Sequence, residues 1–177
     1  YYRRFNFQSV PMHDYEVKVA INRFKEPKLE LDIDLSENSM GQTCLEIFAK
    51  NVGAISAPSA HFRLLIPEYL YDTKQGEYWY LGNKPIEYNG FYVVALMCNW
   101  GGQNKMEFFP ELTIPLSSKL LSNTICIKGA RPRIIDRYVE FPIFYEIYAT
   151  NMRPQKGKFL FKIYTVGRIS KKRVTLE

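Results

Sequence analysis

The stretch Lys28-Leu29-Glu30-Leu31-Asp32-Ile33-Asp34-Leu35 decides the fold. Leu29, Leu31, Ile33 and Leu35 alternate with Glu30, Asp32 and Asp34. A period of two sets the aliphatic side chains on one side of an extended chain and the carboxylates on the other. This is a strand with one buried face and one wet face, as in an antiparallel sheet packed on one side. Immediately upstream the period differs. Val17, Ala20, Ile21 and Phe24 share one helical face behind Asp14, a good N-cap, and Glu16, favourable in a first turn; Pro27 ends the run. The switch from 3.6 to 2 marks a boundary. Residues 1–27 read as the tail or linker of a preceding domain, with a strand over Tyr1–Phe7 and a short helix, and residues 28–177 read as a β-sandwich domain.

The alternation continues downstream. A turn at Glu37-Asn38-Ser39-Met40-Gly41 leads into a strand over Thr43–Lys50, with Leu45, Ile47 and Ala49 on one face. Asn51-Val52-Gly53 and Ser56-Ala57-Pro58 supply turn chemistry. Phe62, Leu64 and Ile66 mark the inward face of a third strand that stops at Pro67. Glu77–Leu81 reads as a short aromatic strand, Gly82–Pro85 as a turn, Tyr92–Cys98 as a buried strand and Asn99–Lys105 as a loop. Leu112, Ile114 and Leu116 alternate around Pro115, which calls for an edge strand or a bulge. Val139, Phe141, Ile143, Tyr145 and Ile147 line one face of a long strand, with Pro142 on the other. After a turn over Asn151–Gly157, a last strand carries Phe159, Phe161 and Ile163 and runs into Lys171-Lys172-Arg173. About seven to nine strands with no βαβ alternation predict an all-β chain, an antiparallel Ig-like β-sandwich preceded by the short N-terminal strand and helix. The Cys…Trp…Cys signature of antibody domains is absent.

Composition agrees. A chain of 177 residues suits one folded unit, and 15% aromatics, with 13 Tyr and 12 Phe, favour a pleated, half-buried surface. Cys44, Cys98 and Cys126 are odd in number and form no CxxC pair. A disulfide framework or structural zinc is not expected, and each thiol reads as a small core group in a reduced, cytoplasmic setting. No apolar run approaches the ~18–20 residues that span a bilayer, so no membrane role is expected.

Chemistry is sparse. His13 and His61 have no partner that sequence identifies, and His61 falls at an outward phase beside Arg63. Glu30, Asp32 and Asp34 share one side of a strand and could hold calcium, but the alternation already accounts for them as a wet face. The glycines at 101 and 102 belong to no phosphate-binding pattern. No catalytic residue, metal site or cofactor is predicted.

Two features suggest binding instead. The net charge of +6 is uneven: residues 1–127 carry −2 and residues 128–177 carry +8. A basic third is a footprint for a polyanion, with Arg131, Arg133, Arg137, Lys171, Lys172 and Arg173 as candidate nucleic-acid contacts, although solvated strand faces explain them as well. Tyr78, Trp79 and Tyr80 form a candidate aromatic surface for a base, a sugar or a protein, with core packing as the commoner use.

The opening residues add a resemblance. Tyr1-Tyr2-Arg3-Arg4, then Gln8-Ser9-Val10-Pro11-Met12 and Asp14-Tyr15-Glu16-Val17, look like the end of the Schlafen AlbA-like DNA-binding domain of bacterial proteins. The match covers about the first 25 residues. It implies that most of such a domain lies upstream, and that this chain is mainly the β-sandwich that can follow it. The expected function is then a non-catalytic accessory or interaction module of a multidomain transcriptional regulator or nucleic-acid-binding protein. A protein partner or self-association is expected. Direct nucleic-acid binding, or an aromatic-faced ligand- or carbohydrate-binding module, is the alternative.

Overall fold

Among the described residues, strands begin where the alternation begins. The computed structural model describes residues 26–72, 79–82, 84–98, 106–118, 124–128, 130, 132 and 137–176, with the side chain of Tyr80 excepted. The strand and helix expected before Pro27 lie outside these residues.

The described residues form twelve strands: β1 Leu29–Glu37, β2 Thr43–Asn51, β3 Ala57–Pro67, β4 Trp79–Leu81, β5 Ile86–Tyr88, β6 Phe91–Cys98, β7 Met106–Phe108, β8 Thr113–Ser117, β9 Ile125–Ile127, β10 Tyr138–Tyr148, β11 Gln155–Tyr164 and β12 Ile169–Leu176. A 3-10 turn, Glu68–Leu70, follows β3. All pairings are antiparallel and build two sheets. In the smaller sheet β2 is flanked by β1 on one edge and by β8 and β9 on the other. The larger sheet runs β12-β11-β10-β3-β6-β4, with β5 also on β6 and β7 on β3.

The two inward faces share one core. Leu29, Leu31 and Ile33 from β1 and Leu45, Ile47 and Ala49 from β2 meet Phe62, Leu64 and Ile66 from β3, Phe141, Ile143, Tyr145 and Ile147 from β10, and Phe159 and Phe161 from β11. These are the faces that the period of two assigns inward. Pro115 sits at a register shift of β8 against β2, as its missing N–H requires. Trp79 turns into this core, 3% exposed, and its indole N–H donates to the Leu116 carbonyl at 3.1 Å. One hydrogen bond thus ties β4 of the larger sheet to β8 of the smaller.

A second, smaller apolar cluster lies on the outer face of the larger sheet: Leu65, Val93, Ala95 and Phe144, with Tyr88 and Phe91 packed on it. Tyr88 and Phe91 flank Asn89-Gly90, whose positive φ values of 49° and 78° make the two-residue turn that matches strand twist. The hairpin lays both rings on Phe144, with centroids 5.2 and 5.9 Å away. The sequence reading passed over β5, although Asn-Gly is a strong hairpin signal. It also merged β11 and β12, which form a hairpin around Tyr164–Arg168 with Gly167 at φ 82°.

Candidate functional site

The outer face of the larger sheet carries the most developed polar constellation among the described residues. Glu146 lies near the C-terminal end of β10, between Arg63 of β3 and Lys156 of β11 in register. It is 3% exposed. Its Oε2 accepts from Arg63 Nη1 at 3.1 Å and from the Tyr148 hydroxyl at 2.9 Å, and its Oε1 faces Lys156 Nζ at 3.4 Å. Burial alone would raise its pKa, but the Tyr148 and Arg63 hydrogen bonds and the charges of Arg63 and Lys156 outweigh that and hold it below the ordinary glutamate value. Burial, and then the carboxylate beside them, push the Tyr88 and Tyr148 hydroxyls up. Glu146 therefore stays anionic with both oxygens engaged. Its contacts come from both neighbouring strands and from Tyr148 on its own strand. The cluster locks strand register.

Sequence reasoning missed this site. The visible signal was a lone charge in the apolar run Phe144-Tyr145-Glu146-Ile147. Its partners come from cross-strand register, which no local pattern gives.

Four of the six basic candidates, Arg137, Lys171, Lys172 and Arg173, lie among the described residues. Alternation splits Lys171-Lys172-Arg173 across the two sides of β12. Lys171 Nζ reaches Asp32 and Asp34 at 2.7 and 2.6 Å. Arg173 Nε donates to the Tyr145 hydroxyl at 3.1 Å, and its guanidinium lies 5.7 and 5.9 Å from the Tyr145 and Phe159 ring centroids. Both are tied to the fold. Lys172 points the other way and is exposed. Arg137 is exposed just before β10. Arg131 and Arg133 lie outside the described residues. The face that bears Lys172 also bears Lys156, Lys158 and Lys162 of β11; Lys156 pairs with Glu146 and Lys162 with Glu140 at 2.8 Å.

The aromatic candidates need a correction. Trp79 is a core residue, because its ring fills the space between the sheets and its N–H is satisfied there. Tyr78 and the side chain of Tyr80 lie outside the described residues. On β4, β5 and β6 the exposed apolar side chains are Leu81, Ile86, Tyr92 and Met97, at 48%, 38%, 66% and 49%.

The acidic stripe of β1 is the wet face that the alternation assigns it, with Asp32 and Asp34 each 57% exposed. Asp32 and Asp34 bind Lys171, so the wet face of β1 is bridged to the edge strand of the other sheet. His61 is exposed, as its phase predicts. No group of three or more His, Cys, Asp or Glu that could hold a metal occurs among the described residues. No described helix is long and apolar enough to cross a membrane. No protein-family model, no curated protein and no solved structure matches the chain.

Proposed function

We propose that residues 28–177 form an Ig-like β-sandwich that serves as a non-catalytic interaction module of a multidomain regulator, following a DNA-binding domain of the Schlafen AlbA-like kind. The strand orders support the Ig-like reading: β1-β2-β8 corresponds to A-B-E and β11-β10-β3-β6 to G-F-C-C′. The observation that carries the interaction role is the run of exposed apolar side chains along the β4–β5–β6 edge of the larger sheet, Leu81 and Tyr92 in the phase of the core face and Ile86 and Met97 in the phase of the outer face. Exposed apolar side chains gathered along one sheet edge mark protein contacts more often than catalysis. The edge strands β4 and β5 are only three residues long, which suits contact through side chains. The contact expected is with a second copy of the chain. Sedimentation velocity from low to high micromolar concentration tests it: the wild type self-associates, and the double variant Tyr92→Glu, Met97→Glu does not. A strict monomer throughout overturns the reading.

One observation favours a second reading, direct nucleic-acid binding. Lys158 and Lys172 lie on one face of β11 and β12 with no carboxylate partner among the described residues. Binding through them would weaken steeply with salt, and Lys158→Glu with Lys172→Glu would cut the salt slope by about two. Absence of binding to single- or double-stranded DNA or RNA at low salt sinks this reading.

A further inference from the structure

Cys44 of β2 and Cys126 of β9 are direct cross-strand partners. The backbone shows which kind of pair they make. Leu45 turns its carbonyl to Ser117 Oγ of β8, and Asn51 donates its N–H to Leu112, so odd residues of β2 face the β8 and β9 edge. Val52 donates to Lys28, so even residues face β1. Cys44 is even, and Cys44–Cys126 is a non-hydrogen-bonded pair. In such pairs the Cα atoms lie about 4.5 Å apart and the side chains approach closest. That separation falls within the roughly 4.4–6.8 Å that a disulfide spans.

The surroundings distinguish the two thiols. Cys44 is fully buried and Cys126 is 8% exposed. Cys44 Sγ points at the Gln42 carbonyl at 3.6 Å, whereas Cys126 Sγ receives the Asn38 side-chain amide at 3.8 Å. Burial, and then Cys126 itself, push the Cys44 thiol up to about 12. Cys126 is thus the slightly less buried of the two, and its sulfur is the one that faces a side-chain donor. Cys98 sits on β6 opposite Phe62 and Trp79, away from this pair.

We propose that Cys44 and Cys126 are a redox-convertible thiol pair, oxidised by a low-molecular-weight disulfide to an intramolecular disulfide that staples β9 to β2. Cys126 thiolate attacks one sulfur of the small disulfide and forms a mixed disulfide, releasing one small thiolate. Cys44, losing its proton, then attacks Cys126 sulfur, forms the Cys44–Cys126 bond and expels the second small thiolate. Two protein thiols are oxidised, one small disulfide is reduced to two thiols, and the two protons leave with them.

The test treats the 177-residue chain with oxidised glutathione, quenches with an alkylating reagent under denaturing conditions, and maps peptides by mass spectrometry. Three cysteines are alkylated before treatment and one, Cys98, afterwards, with a Cys44–Cys126 linked peptide that dithiothreitol reverses. Cys44→Ser arrests at the mixed disulfide on Cys126. The staple closes a long loop, so the oxidised chain melts higher by roughly 5–10 °C. Three alkylated cysteines after treatment of the folded chain, or links that involve Cys98 or join two molecules, overturn the proposal. The wild-type readout stands even where a serine variant fails to fold.

Discussion

Lys171 Nζ lies 2.6 Å from Asp34 Oδ1, joining the edge strand β12 of the larger sheet to the edge strand β1 of the smaller. The same ammonium reaches Asp32 at 2.7 Å, and it also stands 5.7 Å from the Phe159 ring centroid. Residues 137 positions apart thus close one open side of the sandwich. Alternation along β1 sets Asp32 and Asp34 on one side, and alternation along β12 aims Lys171 at both.

Lys171→Met should lower stability by about 1 kcal/mol, because the carboxylates remain partly solvated and the bridge is screened. Burial works against the Lys171 charge, yet the two carboxylates prevail and hold its pKa above the ordinary 10.5. A raised pKa gives stability that is complete below pH 10.5 and lost as pH rises through the folded value. Thermal melts across that range should show the loss in the wild type and a flatter response in the variant. Equal slopes would mean that the bridge contributes nothing.

Glu146→Gln should cost about 2 kcal/mol in urea unfolding. It keeps the shape of the side chain but leaves Arg63 and Lys156 without their counter-charge; these are 34% and 45% exposed, so water relieves part of the loss. The depressed Glu146 pKa supplies stability that is present above its ordinary value of 4.5 and lost as pH falls through the folded value. The gap between wild type and Glu146→Gln should therefore narrow in acid. A constant gap would refute the charge-based account.

The strands and their inward faces were legible because periodicity is local: Leu29 to Leu35, Phe62 to Ile66 and Val139 to Ile147 each announce a buried side. Their partners were not. Glu146 meets Arg63 only through the β10–β3 register, and Lys171 meets Asp34 only through the closure of the two sheets. Trp79 was misassigned for a related reason. Three aromatics in a row alternate faces, and nothing local says which face is the core. The short strands β5, β7 and β9 carry three residues each, too few for a period to show.

Gly157→Ala should destabilise the chain by about 2 kcal/mol or more. Tyr145 lies across Gly157, its register partner, to reach Arg173, and an added Cβ would fall on the phenol ring, 2.5 Å from Cζ. Overpacking of this kind forces the ring or the strand to shift. The same substitution in a Tyr145→Leu background should cost less, because the shorter side chain vacates the space. A double-mutant cycle reads this coupling, and additive costs would show that the ring is not the obstacle.

Asn51→Ala should cost about 3 kcal/mol, more than either substitution at the ion pairs. Asn51 is fully buried at the end of β2. Its amide donates to the carbonyls of Ile55 at 2.8 Å and Phe108 at 2.7 Å, and its oxygen accepts the Gly53 N–H at 2.9 Å. Truncation strands three backbone groups in a place that water reaches poorly, and each carries its own desolvation cost. The loss should therefore reach beyond β2. Because Phe108 belongs to β7, hydrogen exchange should quicken both in the Val52–Ile55 turn and along the β3–β7 pairing. Exchange confined to the turn would show that β7 is held by its ladder to β3 alone.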